Sequence, residues 1–443
     1  MTSKSSSASV PQLSDLRVAV VGNVDAGKST LIGTLQSGTP DNGRGLNRIR
    51  VMNFDHEIQS GRTSSIAYQI VGFDDNNQII PDTSRSKRES WRLIMANSSK
   101  IITFIDLAGH ERYLKTTICG ISSNHPDYIL ILIEGKGIRG MTREHLMLAL
   151  SYGIPFAIVV TKTDLYDDST ISETTESIKS MISLTHRNYI VCDGNTAMPK
   201  SFNKKLIPIL YANSCKMDGL DLLRGFLGNL ITAREHEIAQ IQDSTISDPP
   251  PFEMSVLEIF KVKGVGCVAH CFLKHGCIHT GDECVVGPDR NGKFVVTKIK
   301  SIQYKRLDVS FCMEGNHVCV ALKSTNYNNI RKGMSVLSTE IDYKSMIHDK
   351  LIADITVAAS HSTTIKCGYE AVLNIGNVKV TGKFIKINGS EDAVIRGGSK
   401  AVVELQMLKP IYIRKSEKVR FLFREGRTRG WGTLCTLDAV TQG

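Results

Sequence analysis

The feature that most constrains this chain is the run Gly22-Asn23-Val24-Asp25-Ala26-Gly27-Lys28-Ser29, set directly after an apolar stretch and directly before a segment of helical period. A glycine-rich turn in that setting is the pattern of a phosphate-binding loop, whose main-chain N–H groups and following helix N-terminus cradle phosphate oxygens. Lys28 supplies a point charge between β- and γ-phosphate, and Ser29 a hydroxyl for Mg²⁺. Asn23, Val24, Asp25, Ala26, Gly27, Lys28, Ser29 and Thr30 are therefore expected to hold a nucleotide, with Lys28 also acting in its hydrolysis. Such a loop needs a strand before it and a helix after it, so it commits the first part of the chain to an α/β sheet.

The rest of that region fits. Apolar runs at Arg17–Gly22, Ile101–Asp106, Tyr128–Ile133, Phe156–Thr161 and Leu206–Asn213 alternate with helical-period segments such as Thr142–Ser151 and Gly219–Arg234. Continuous apolar strands are those of a parallel sheet covered on both faces, which predicts a doubly wound, mostly parallel α/β domain over residues 15–240. A serine-rich tail precedes it at residues 1–14, and the triple proline Pro249-Pro250-Pro251 closes a stiff linker at 241–251. Beyond it helical period fades and short strands with glycine turns take over, at Glu253–Val262, Gly266–Leu273, Glu283–Gly287 and Phe294–Tyr304. The pattern predicts two β-barrel domains, 252–342 and 343–443, the second with a strand beginning near Ile352.

Three further elements bear on the nucleotide. Asp106-Leu107-Ala108-Gly109-His110 follows an apolar strand: the acid is placed to hold Mg²⁺, and Gly109 can bring its amide to the γ-phosphate. His110 then stands where it can orient an attacking water. Thr161-Lys162-Thr163-Asp164 ends another strand, and a carboxylate at Asp164 accepts from guanine N1 and N2, a donor pair that adenine lacks. GTP is thus the expected cofactor with Mg²⁺. In the polar, glycine-rich region beginning near Gly38, Thr63 is a candidate to complete the Mg²⁺ shell beside Ser29 and Asp106.

With these motifs in hand, the chain resembles the translational GTPases of the elongation factor Tu and elongation factor 1-alpha type. The stretches Asp41-Asn42-Gly43-Arg44-Gly45, His56 to Ser65 and Phe104 to Glu111 are similar to the eukaryotic GTP-binding protein 1 and 2 branch. The resemblance implies a G domain followed by two β-barrels, and a guanine loop at Ser214, Cys215 and Lys216. Gly264-Val265-Gly266 and Thr280-Gly281-Asp282 match turns of the first barrel, while Gly368-Tyr369-Glu370 and Arg424 to Thr428 match strands of the second. Three positions depart: Thr161 stands where Asn is usual, Arg62 where the family has an apolar gate residue paired with Val24, and Cys271 where Gly is common. The motifs show no arginine finger.

The chain carries net charge +10, and Lys298, Lys300, Lys305, Arg306, Arg414, Lys415, Lys418, Arg420, Arg424, Arg427 and Arg429 make its barrels basic. Joined to the resemblance, that charge implies phosphate contact with aminoacyl-transfer RNA or the ribosome, with mRNA decay factors as alternative partners of an RNA-binding adaptor. Apolar runs far short of ~20 residues imply no membrane span. Eleven cysteines without framework spacing suit a reducing, cytoplasmic setting, and a monomer is expected. Cys267 and Cys271 share a strand face ~13 Å apart, too far to ligate one zinc ion.

Overall fold

The computed structural model describes residues 14–82, 84, 86–193, 205–232, 250–323, 329–359, 364–414, 419–425 and 427–435, with the side chains of residues 14 and 427–429 outside that description. The chain divides into two compact units, one of Pro11–Ile121 with His125–Thr245 and one that takes in Ile246–Gly443.

In the first unit an eight-stranded sheet is formed by β1 (Ser14–Gly22), β2 (Ala67–Phe73), β3 (Ile79–Ile80), β4 (Lys100–Asp106), β5 (Tyr128–Glu134), β6 (Phe156–Thr161), β7 (Asn188–Val191) and β8 (Leu206–Ala212). Its order is β3-β2-β4-β1-β5-β6-β8-β7. The six strands from β4 to β7 in that order run parallel, while β2 and β3 pair antiparallel at one edge. Helices α1 (Lys28–Ser37), α2 (Leu46–Val51), α3 (Asp55–Ser60), α4 (Lys87–Asn97), α5 (Leu114–Asn124), α6 (Gly140–Tyr152), α7 (Asp168–Ser183) and α8 (Leu220–Asn229) complete it. The central strands are buried along nearly their whole length, as the apolar runs require.

Two sequence expectations need correction here. Ser14 belongs to β1 rather than to a tail; the rest of the tail lies outside the described residues, as does most of the linker. The polar, glycine-rich region after Gly38 carries α2 and α3, short helices that composition alone hides. The last helix stops at Asn229, well before Arg234, because Leu230 turns extended and the Lys100 ammonium donates to the carbonyls of Leu227, Gly228 and Leu230, satisfying a helix end.

The second unit holds two six-stranded barrels. In the first, Glu283–Gly287 pairs with both Val295–Tyr304 and Ser335–Ser338 and so closes a ring through Glu253–Val262, Gly266–His275 and His317–Leu322. The second barrel joins Ile347–Val357, Lys400–Tyr412, Val378–Ile387, Glu370–Ile375, Arg420–Glu425 and Arg427–Leu434. Its first strand starts at Ile347, five residues before the predicted Ile352. Phe384, Phe421 and Phe423 fill its core. Glu253, fully buried, accepts from the Tyr412 hydroxyl at 3.0 Å and lies 3.5 Å from the Lys274 ammonium and 3.6 Å from the Arg414 guanidinium, tying residues of both barrels together.

Candidate nucleotide site

A cavity of about 460 Å³ opens over the ends of the central strands, the place where open parallel sheets bind ligands. The loop after β1 and the first turn of α1 form its floor. Lys28 Nζ donates to the carbonyls of Gly22 at 3.1 Å and Asn23 at 2.8 Å, which curls the loop around the ammonium. Burial pulls the Lys28 pKa down to about 8, against the raising effect of Asp106 and Asp25. Gly109 closes down on the same spot, where any side chain would collide with the Lys28 ammonium and the Gly22 carbonyl.

Asp106, at the end of β4, is fully buried. Its Oδ2 accepts from Ser29 Oγ at 2.6 Å and Thr63 Oγ1 at 3.3 Å, and the two hydroxyls lie 3.0 Å apart. Its Oδ1 has no hydrogen-bond partner among the described residues. Burial raises its pKa to about 6, more than the nearby Lys28 charge and the two hydroxyls lower it. An under-satisfied buried carboxylate with two hydroxyls and no sulfur or nitrogen donor suits a hard cation such as Mg²⁺.

Thr63 is held there by a carboxylate that sequence reading did not single out. Glu57, buried on α3, accepts from Ser64 N at 2.8 Å, Ser64 Oγ at 2.9 Å, and Ser65 N and Oγ at 3.0 Å each, all on Oε1. Its Oε2 accepts from Asn53 N at 3.3 Å. Burial pushes Glu57 up, but these bonds outweigh it and hold the carboxyl below its ordinary value.

At the other end of the cavity, Thr161 Oγ1 donates to Ala26 O at 2.9 Å and lies 3.3 Å from Ile133 O, so the residue that departs from the family's Asn still links the phosphate loop to the strand bundle. Lys162 adopts a left-handed backbone and reaches Glu134 at 3.2 Å. Asp164 and Leu165 line the cavity beside Ser214 and Cys215. The buried Asn213 shapes that loop by accepting from the Cys215 and Lys216 amides, and the Ser214 carbonyl accepts from Asp41 N.

Of the residues expected at the site, Val24, Asp25, Gly27, Lys28, Ser29, Thr30, Thr63, Gly109, His110, Thr161, Lys162, Asp164, Ser214 and Cys215 line one cavity. Asn23, Ala26 and Lys216 are outside that lining and contribute main-chain groups to its hydrogen bonds, and Asp106 is fully buried, joined to the lining through Ser29 and Thr63. His110 is exposed, and its Nδ1 accepts from Arg112 N at 3.0 Å, leaving Nε2 as the ring atom able to meet a water. Arg62 and Val24 line the same cavity, so the two positions that the resemblance gives to an apolar gate hold one apolar and one cationic residue. Sequence reasoning also missed Asn213, Arg44 and Arg48, whose placement depends on loop packing.

The sequence pattern of the elongation factor Tu GTP-binding domain matches residues 14–312, and that of the elongation factor Tu C-terminal domain matches residues 344–437. The chain belongs to the elongation factor Tu family of GTPases. It is 38% identical over 444 residues to GTP-binding protein 2 of Homo sapiens, covering 98% of this chain and 71% of that protein. It is 37% identical over 433 residues to GTP-binding protein 1 of Xenopus laevis, covering 96% of this chain and 63% of that longer protein. Its fold is like that of translation elongation factor SelB of Methanococcus maripaludis in complex with a GTP analogue, with a TM-score of 0.64 at 18% identity over 95% of this chain and 79% of that one.

Proposed function

We propose that this chain binds GTP with Mg²⁺, hydrolyses it, and uses the nucleotide state to control engagement of aminoacyl-transfer RNA and the ribosome. The observation that carries the reading is the Asp106 cluster, in which a buried, under-satisfied carboxylate, the Ser29 hydroxyl and the Thr63 hydroxyl converge beside Lys28. Ser29, Thr63 and Asp106 would hold Mg²⁺, which when bound supplies charge neutralisation at the phosphates. Loop amides and Lys28 bind and orient the phosphates, Gly109 offers its N–H to the γ-phosphate, and His110 positions the water that attacks it. Asp164 reads guanine, with Ser214 and Cys215 closing on the base.

The barrels supply the RNA-facing charge, though not as first expected. Lys298, Lys300, Arg306 and Arg420 are exposed, whereas Arg424 is only 3% exposed and Lys305 7%, so these two are poor phosphate contacts. Lys415, Lys418 and the side chains of Arg427 and Arg429 lie outside the described residues.

The test is Asp164→Asn. It faces guanine's donors with an amide donor, and GTP affinity is expected to fall by ~10³ to 10⁴-fold while xanthosine triphosphate gains. Unchanged GTP affinity would remove the guanine reading. Ribosome-stimulated turnover, and tighter aminoacyl-transfer RNA binding with a GTP analogue than with GDP, test the translational half separately.

A further inference from the structure

Asp164, the carboxylate expected to read guanine, lines the cavity without a hydrogen bond from any described residue, so its aim is set by the backbone that carries it. That backbone is a short turn. β6 ends at Thr161, Lys162 turns left-handed with φ 57°, and one turn of 3₁₀ helix follows at Thr163–Leu165, closed by Leu165 N donating to Lys162 O at 3.2 Å. A left-handed conformation is uncommon for a residue with a side chain and persists where the surroundings over-determine it. Thr161 brings only its hydroxyl proton, already engaged at Ala26 O.

The further hold comes from Glu134, the last residue of β5, which stands beside Thr161 in the parallel register of β5 and β6. Its Oε1 accepts from Lys162 Nζ at 3.2 Å and from the Tyr166 hydroxyl at 2.8 Å. Lys162 lies two residues before Asp164 and Tyr166 two residues after it, so one oxygen on a strand end grips both arms of the turn. Arg139 Nη2 donates to the other oxygen at 3.0 Å, but that guanidinium is half exposed and adds little.

The carboxylate itself is firmly set. Only 13% of the Glu134 side chain is exposed, against 31% of Lys162. Gly135 N donates to Thr161 O at 2.9 Å, and Gly135 O accepts from the Thr174 hydroxyl on α7 at 2.7 Å, which fixes the chain just past the strand. A methyl group on Gly135 would stand 2.9 Å from Tyr166 Cδ2, so the bare glycine is what lets the ring lie against the backbone there. Burial pushes the Glu134 carboxyl up, but the Tyr166 and Lys162 hydrogen bonds and the two cations outweigh it and hold it below its ordinary value. At neutral pH it is an anion facing the turn.

We propose that Glu134 is a positioning residue for base recognition: it staples Lys162 to Tyr166 and so holds the Asp164 carboxylate at the angle that meets the two donors of guanine, a role that rests on the guanine reading of Asp164 above. Lys162 serves here as a tether, its ammonium engaged by a carboxylate. The staple acts at the base end of the nucleotide. It therefore serves GTP and GDP alike and takes no part in phosphoryl transfer.

The experiment measures GTP, GDP and inosine triphosphate affinity for wild type, Glu134→Ala, Glu134→Gln and Tyr166→Phe, with single-turnover hydrolysis at saturating GTP. Inosine keeps N1–H and lacks the N2 amino group, so the preference for GTP over inosine triphosphate reads how well Asp164 meets both donors. Wild type should prefer GTP by ~10 to 100-fold, the scale of a hydrogen bond to a charged group. Glu134→Ala should bring that preference to within about threefold of unity and weaken GTP and GDP by the same ~10 to 100-fold, with the loss confined to affinity and the saturated hydrolysis rate moving less than about threefold. Glutamine keeps an Oε1 acceptor for both arms and should restore most of the preference; Tyr166→Phe removes one arm and should fall between. In an Asp164→Asn background Glu134→Ala should cost no further preference, because nothing remains to be aimed. Full guanine preference in Glu134→Ala overturns the proposal, as do equal losses of GTP and inosine triphosphate, which mark a folding role only. Should Glu134→Ala not fold, unchanged preference in Tyr166→Phe overturns it and a reduced one supports it. A wild type that binds GTP and inosine triphosphate equally overturns the reading of Asp164 instead.

Discussion

Asp106 in the G domain and Glu253 in the first barrel are both fully buried carboxylates at strand ends, and they have opposite surroundings. Glu253 has two cations and a phenol around it, so both oxygens are engaged. Asp106 has two hydroxyls on one oxygen and no described partner on the other. A buried charge that the protein itself satisfies holds structure together, whereas one left short of partners is open to an ion, a water or a ligand. The contrast separates a lock from a socket, and it can be broken by experiment.

Asp106→Asn gives the largest expected effect. GTP hydrolysis should drop by ~10² to 10³-fold, since the cation loses its anchor. Nucleotide-free thermal stability should stay level or rise, because the buried charge is gone. Single-turnover kinetics and thermal melts measure both, and a lower melting temperature in the mutant would show that Asp106 is a lock after all.

The second test uses pH. Asp106 titrates near 3.8 in the unfolded chain and at about 6 in the fold, so between those values the folded state holds a proton that the unfolded state has lost. Stability of the nucleotide-free protein should therefore fall as pH rises from about 4 to about 6, with a cost on the order of 3 kcal/mol fully present above that window. A series of melts should show this slope in the wild type and its loss in Asp106→Asn. Magnesium with GDP should flatten it as well.

Glu253→Gln is the mildest. Removing one member of a buried ion cluster can cost 3 to 5 kcal/mol, but Lys274 and Arg414 keep side-chain exposures of 18% and 27% and can rehydrate, so about 2 kcal/mol is expected. Denaturant unfolding reads the loss, and GTP affinity should not move. A change in nucleotide affinity would undo the division of labour between the two carboxylates.

These contrasts also mark how far the sequence could be read. The phosphate loop, Asp106 to His110 and Thr161 to Asp164 were legible because each is a short run at the end of an apolar strand, where spacing alone dictates geometry. The α/β order and the barrels were legible for the same reason, through period. Glu57 and Asn213 were not, because their roles arise from loops folding back over the cavity, and nothing in their local sequence says which amides and hydroxyls each will accept. Arg424 was misjudged because a charged residue in a basic stretch looks exposed until the barrel closes around it.

Glu57 has a consequence in the statistics of opening. Its five donors come from both sides of the segment 53–65, four of them on a single oxygen. Freeing one donor gains little entropy while the others stay fixed, and freeing most of them strands an anion in the protein interior. Displacing Thr63 together with Ser64 and Ser65 therefore means breaking these bonds as a group rather than one at a time.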